Sequence, residues 1–332
     1  MWRNPELRAD ARFHLKGSWS YAIVICLIAS LIASTIQSLV GTILGTSAVF
    51  TSFYDLLYRT GGQVSEGEIL RNLPIYAEKI TMAAIVSGIV TLVLSVFFTL
   101  PFAVSVNNWF VRNRETPAYP PFSMVFSHFS CNYGRLVTGR LWEGLWTVIW
   151  GSPYYVGSAM IAISSLQMMT QAGTTGTIPN PELSSPLWML YLSGVALLLL
   201  GLIPWINRSL AYAMNAFILA DNPGIGHRRS LQISKRMMKG NKLHLIGLNL
   251  SFLGWILLSL LTCGIGMLFV TPYMNQTMAE LYAKLRSAAV YRGDTTMEEL
   301  GFVLSAPMPG SPGTQPPVTD PYAPNWQNPY NG

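Results

Sequence analysis

The amino-acid sequence predicts an all-α membrane protein: a polytopic bundle of about six transmembrane helices arranged as three hairpins, with interfacial helices on the cytoplasmic side. Three observations support this prediction. The chain of 332 residues is 51% hydrophobic and only 11% charged, whereas soluble domains are about 25% charged. Its apolar residues form six runs, each about as long as the roughly 20 residues that cross a bilayer. Lysine and arginine are concentrated in alternate loops between those runs, which is typical of multi-pass membrane proteins.

The predicted spans follow from the lengths of the apolar runs. They cover residues 19–46, 80–106, 136–166, 187–206, 243–262 and 265–285. The first run follows a basic N-terminus, as in a signal peptide, but it is longer than the apolar region of one, so an uncleaved span is expected. The last two spans come from one continuous run that is too long for a single helix. Two glycines within residues 262–266 favour a tight reversal there, with a broken helix or a re-entrant pair as the alternatives.

The positive charges orient these spans. Four Lys or Arg residues precede the first span, four lie in residues 107–140 and six in residues 221–242, while residues 168–186 hold none. Cytoplasmic loops carry the excess of Lys and Arg. Six spans with both termini in the cytoplasm satisfy this rule at every loop, whereas five would leave the C-terminal basic residues outside.

A repeated proline motif marks the even-numbered spans. The motif reads proline, aromatic, aliphatic, asparagine, and it occurs at Pro204 with Asn207 and at Pro272 with Asn275; a looser copy begins at Pro101. Proline removes a backbone donor and kinks a helix, and in lipid the freed carbonyl needs a polar neighbour. We interpret the motif as a helix break that bends each span into an interfacial segment. The alternative is a gate where three broken helices meet, as in some transporters.

A basic stretch follows the fourth span. It comprises Arg228, Arg229, Lys235, Arg236, Lys239 and Lys242. These residues flank an apolar helical face, so the stretch predicts a helix that lies on anionic lipid headgroups. The alternative is that the charges only orient the chain. Nucleic-acid binding is excluded because no aromatic platform or recognised module accompanies the charge.

Glu143 and Arg208 are the ionisable residues predicted to lie closest to bilayer depth. Such residues are functional candidates by default. Both are near predicted cytoplasmic ends, where long side chains reach the interface. A salt bridge between them, or from Glu143 to Arg140, is the structural alternative.

Motifs of catalysis and cofactor binding are absent from the sequence. It contains no HExxH, no Walker A loop and no dinucleotide glycine pattern, and the serine that follows Gly157 lacks a GxSxG context. The three cysteines are scattered without metal-ligand spacing. We therefore expect no catalytic residue, no metal and no cofactor.

The C-terminal part differs from the rest in composition. Residues 306–332 contain eight of the 21 prolines together with several glycines, and such a segment cannot bury a core. The predicted organisation is an integral membrane domain over residues 1–290 and a disordered, Pro/Gly-rich cytoplasmic tail over residues 291–332.

Several segments together resemble a known family. They are residues 6–12 with 15–17, 212–214 with 218–223, 234 with 237–242, 250–255, 262–266 and 272–273. This combination resembles an uncharacterised bacterial membrane family, domain-of-unknown-function family nine-seven-five, over roughly residues 5–290. The resemblance implies a multi-pass protein of the bacterial plasma membrane and brings no activity or catalytic residues. The expected function is non-enzymatic binding of lipids or partner proteins, with a transporter or channel for a small solute or lipid as the alternative.

Overall fold

The computed structural model describes residues 3–43, 85–116, 119–130, 132–175 and 185–302, together with positions 54, 58 and 82. Within these ranges the regular structure is helical and contains no strand, which confirms the all-α class. Eleven α-helices are used below: α1 Asn4–Leu15, α2 Trp19–Ile43, α3 Leu100–Glu115, α4 Ser127–Ser130, α5 Tyr133–Trp150, α6 Ser152–Thr175, α7 Pro186–Tyr212, α8 Asn215–Asp221, α9 His227–Met237, α10 Lys242–Leu261 and α11 Met267–Tyr291.

Four helical stretches in the described part of the chain are long and apolar enough to cross a bilayer. They are Trp19–Val40, Ile85–Glu115, Pro186–Asp221 and Lys242–Leu261. They coincide with the first, second, fourth and fifth predicted spans. The sixth predicted span corresponds to α11. This helix is not among the four, because charged and polar side chains interrupt its second half.

The third predicted span is not a single helix. α5 ends at Trp150 and α6 begins at Ser152, so residues 136–166 are divided between two helices. Pro153 is the second residue of α6, where its missing N–H costs little. The break was not predicted from the sequence, because the run is apolar on both sides of it.

The chain divides into two compact units. The first unit comprises Met1–Leu31, Phe97–Glu143 and Leu210–Gly332, and the second comprises Ile32–Val96 and Gly144–Ser209. In the first unit, α1 buries Leu7, Ala11 and Leu15 completely, since residues four apart share a helix face. α1 packs on α11 and α3, and α3 also packs on α8 and α11. α3 and α11 therefore contact one another, and each also contacts α1.

The second unit is built on close contact between α6 and α7. Gly157 lies against the backbone of Leu198, and Gly201 against the backbone of Tyr154. The residue numbers rise on one helix as they fall on the other, so the two helices are antiparallel. Glycine permits this close approach because it has no Cβ.

A tight turn joins α10 to α11. Cys263 and Gly264 both have positive φ, 49° and 86°, and the N–H of Gly264 donates to Ser259 O at 2.9 Å. Beyond the turn, Phe252 of α10 meets Tyr273 of α11 with ring centroids 5.4 Å apart. The chain therefore makes a tight turn within residues 262–266.

Candidate functional site

Four side chains form a buried ionic cluster in the first unit, here called the Arg286 cluster (Glu115, Asp221, Tyr282 and Arg286). Arg286 Nη2 donates to Glu115 Oε1 at 2.6 Å, and its Nη1 donates to Asp221 Oδ2 at 3.0 Å. The Tyr282 hydroxyl donates to the same Asp221 oxygen at 2.5 Å. The three charged side chains are at most 3% exposed, so each depends on its partners for compensation.

The cluster forms because helix ends converge. Glu115 is the last residue of α3 and Asp221 the last of α8, while Tyr282 and Arg286 lie one turn apart on α11. α3 contacts both α8 and α11. The cluster therefore links three helices that come from distant parts of the chain.

A second cluster lies around Glu280, also buried, on the same helix. His14 Nδ1 lies 2.8 Å from one Glu280 oxygen, and Arg114 Nε donates to the other at 2.8 Å. Gln276 Nε2 donates to Glu280 at 3.3 Å. Glu280 therefore ties α1 and α3 to α11.

These two clusters are suited to cross-linking helices rather than to chemistry. Arg286 holds both carboxylates of its cluster, and Arg112 donates to the second oxygen of Glu115 at 2.9 Å. Within the described residues, two buried atoms of the cluster have no hydrogen bond, Asp221 Oδ1 and Arg286 Nε. Within the same residues, no three His, Cys, Asp or Glu side chains gather as metal ligands would.

The sequence did not single out these clusters. Arg286 was counted only among the basic residues that orient the chain, and Glu115 and Glu280 were not considered. One signal was present in α11, where Gln276 and Glu280, and Tyr282 and Arg286, are each spaced four apart on an otherwise largely apolar helix. This spacing places polar pairs on shared helix faces.

Residues 292–302, here called the C-terminal strap, pack against the Arg286 cluster. Arg229 Nη2 donates to Glu299 Oε2 at 2.9 Å, and Asn222 Nδ2 donates to Glu299 O at 3.0 Å. Phe302 is buried, with its ring centroid 4.5 Å from the Arg286 guanidinium carbon. The sequence assigned residues 291–302 to the tail, but they pack on the first unit; residues 303–332 lie outside the described residues.

The pH dependence of the strap follows from Glu299. The hydrogen bond from Arg229 holds the pKa of Glu299 below its ordinary value of 4.5. A lowered pKa contributes stability that is present above the unfolded-state pKa and lost as the pH falls through the folded-state pKa. We expect the strap to be docked at neutral pH and to open progressively below about pH 4.5. Hydrogen exchange of residues 294–302 across this range measures the opening.

The substitution Glu299→Gln should open the strap already at neutral pH, because it removes the charge that Arg229 binds. Glu298→Gln is the matched control, since Glu298 is the exposed neighbour. Equal exchange rates in the two variants would show that Glu299 does not hold the strap.

The basic stretch lies mainly on α9, and α9 is packed against protein. Leu231, Ile233 and Met237 are buried, and α9 contacts α8 and α11. The apolar face that was expected on lipid is therefore inside the first unit. Among its cations, Arg228 lies over Trp142, Lys235 lies over Tyr212, Arg229 binds Glu299, and Arg236 Nη1 is 3.9 Å from Asp294 Oδ1.

The proline motifs do not end their helices. α7 continues through Pro204 to Tyr212, and α11 continues through Pro272 to Tyr291. Asn275 Nδ2 lies 3.4 Å from Cys26 Sγ. Pro101 differs, because it is the second residue of α3, which follows directly on a π-helical turn at Ser95–Thr99. The copies in α7 and α11 thus lie inside helices that continue on both sides of the proline.

Glu143 and Arg208 each have an aromatic or polar partner. Glu143 is paired with Arg140, one of the two partners considered from the sequence. It also accepts a hydrogen bond from Asn215 Nδ2 at 2.7 Å. Arg208 lies over the ring of Trp150, with the guanidinium carbon 4.0 Å from the ring centroid.

Together these features define an all-helical protein with several helices that can cross a membrane and a polar core at their converging ends. The family profile described as "Protein of unknown function (DUF975)" matches residues 1–289, and the chain belongs to this family. The resemblance noted from the sequence is thereby confirmed. No curated protein and no solved structure matches the chain.

Proposed function

We propose that this chain is a multi-pass integral membrane protein of the bacterial plasma membrane that binds anionic lipid and is not an enzyme. The proposal retains six spans with both termini in the cytoplasm. Its two parts, topology and lipid binding, have separate support and separate tests.

α6 supports a crossing at the third position. It has 24 residues and no Asp, Glu, Lys or Arg, and at about 1.5 Å per residue it is about 36 Å long. That exceeds the roughly 30 Å of the hydrocarbon core. The first part of α6 lies antiparallel to α7, from Tyr154 beside Gly201 to Ile161 beside Gly194, so it runs back along a helix that is itself long and apolar enough to cross the bilayer. α11, with 25 residues after the turn, returns the chain beside α10 in the same way.

Single cysteines in a cysteine-free background test this topology. With six spans, a cysteine at position 228 should react with a membrane-impermeant thiol reagent only from the cytoplasmic side, and one at position 265 only from the other side. Labelling of position 265 from the cytoplasm would show that α10 and α11 form a re-entrant pair.

One observation carries the proposal of lipid binding: two cations of the basic stretch lie over aromatic rings. Arg228 lies 5.3 Å from the Trp142 ring centroid, Lys235 5.4 Å from that of Tyr212. Aromatic rings and long basic side chains are the residues enriched at the headgroup level of a bilayer. Each cation near an anionic surface contributes about 1 kcal/mol to binding.

Reconstitution in lipid nanodiscs tests this function. The thermal midpoint should be higher in discs that contain phosphatidylglycerol than in pure phosphatidylcholine, and the difference should shrink at high salt, which screens exposed charges. The combined variant Arg228→Gln, Lys239→Gln, Lys242→Gln should reduce the difference. Arg292→Gln, an exposed cation on the strap, is the control. Equal midpoints in both lipids would refute lipid binding.

A transporter remains the alternative function. Its motivation is the repeated proline motif, whose copies in α7 and α11 lie inside continuous helices. Nothing else in the described residues favours it over lipid binding.

A further inference from the structure

An open groove lies on the first unit where α1 and α2 meet α10 and α11. Its volume is about 210 Å³, and it is lined by Arg12, Trp19, Trp255, Phe269, Val270 and Tyr273. All of these except Arg12 are apolar or aromatic. Trp255 is 50% exposed and Phe269 is 55% exposed, so the groove opens onto the outer surface of α10 and α11. This surface is apolar, with exposed leucines at positions 257 and 258.

Two arginines stand at one side of this groove. Arg8 and Arg12 are one turn apart on α1 and share a helix face. The Arg8 guanidinium carbon lies 5.4 Å from the ring centroid of Phe252, which itself contacts Tyr273 in the groove wall. The groove therefore joins an apolar wall to a pair of positive charges.

Arg8 and Arg12 can both donate hydrogen bonds to a ligand. Asp10 lies between them in the sequence, but it pairs with Lys284 at 2.8 Å. The Nε of Arg8 is shielded from solvent and donates no hydrogen bond to any residue that the structure describes. A buried donor without an acceptor is costly. A phosphate group accepts such charge-assisted bonds from arginine in a fork geometry.

We propose that the groove binds one anionic phospholipid per chain. One acyl chain packs against Trp255, Phe269 and Val270, and the phosphate lies between Arg8 and Arg12. This inference rests on the proposed lipid binding and names the site and the lipid class. The combination of apolar walls with a cationic end matches an amphipathic ligand. Free phosphate would leave the aromatic walls uncovered, so the source of the phosphate is a lipid.

Native mass spectrometry of the full chain tests the site. After extraction from membranes that contain phosphatidylglycerol, the wild type should retain one anionic lipid per chain. Arg8→Gln with Arg12→Gln should lower this occupancy about tenfold or more, because charged hydrogen bonds are lost. Trp255→Ala, at a half-exposed position, should also lower the lipid occupancy, because it removes a side chain against which the acyl chain packs. Lys16→Gln is the matched control, since Lys16 is exposed at the end of α1.

The possible results distinguish a failure of the proposed groove site from a failure of lipid binding in general. Unchanged occupancy in the double arginine variant, equal retention of phosphatidylcholine, or a groove filled by another part of the chain would overturn the site. If the wild type is still stabilised by anionic nanodiscs in any of these cases, lipid binding stands and only the groove is wrong. If the wild type neither retains anionic lipid nor gains stability from it, both proposals fail.

Discussion

Arg286→Met should lower the free energy of unfolding by about 3–5 kcal/mol, because it removes the cation bound to the buried Asp221 carboxylate and leaves the buried Glu115 with Arg112 alone. Glu115 is 1% exposed and Asp221 is fully buried, and Arg286 bonds to both. The methionine side chain fills much of the same volume, so the loss is electrostatic rather than a cavity. Denaturant unfolding in detergent micelles, followed by tryptophan fluorescence, measures the change.

Two controls distinguish this explanation from simple damage to α11. Lys284→Met lies half a turn away on the same helix, and Lys284 is 35% exposed in its pair with Asp10, so it should cost no more than about 1 kcal/mol. The combined variant Glu115→Gln, Asp221→Asn, Arg286→Met removes the stranded charges and should recover much of the stability. A combined variant as unstable as Arg286→Met alone would show that packing, not charge, is decisive.

The sequence predicted the apolar helices well because their signal is local. A run of about 20 apolar residues is visible without knowledge of its neighbours, and four of the six expected spans coincide with helices long and apolar enough to cross a membrane. Hydropathy does not reveal a break between two helices when the residues at the break leave the apolar run uninterrupted. Gly151, Ser152 and Pro153 divide the third run into α5 and α6, although the apolar composition continues on both sides.

The polar core could not be predicted in the same way, because it depends on contacts between distant residues. Glu115 and Arg286 are 171 positions apart, and Arg229 and Glu299 are 70 apart. From the sequence, each of these arginines is indistinguishable from one that only orients the chain. Arg8 and Arg12 were also predicted only as orienting charges. The partners of such residues become visible only when the helices are packed.

The contact between α6 and α7 depends on glycines that the sequence did not single out. A Cβ at Gly201 would lie 2.3 Å from Tyr154 N, and one at Gly157 would lie 2.5 Å from Leu198 N. Both obstacles are backbone atoms, which cannot move aside as a flexible side chain can. The close approach also brings Tyr154 and Trp205 into a stack with ring centroids 5.3 Å apart and planes 11° from parallel.

Gly201→Ala should therefore destabilise the second unit by about 1–3 kcal/mol or more, since overpacking forces the two helices apart. The same substitution at Gly144 is the matched control: Gly144 lies in helix α5, where an added Cβ meets nothing within 4 Å. Alanine at such an open helical position should stabilise by about 0.5–1 kcal/mol, so the two variants are expected to differ in sign. Thermal unfolding in detergent compares them, together with Trp205 fluorescence in a variant that retains this tryptophan alone. Stabilisation by Gly201→Ala would mean that α6 and α7 are not in close contact and would remove the support that this contact gives to a membrane crossing by α6.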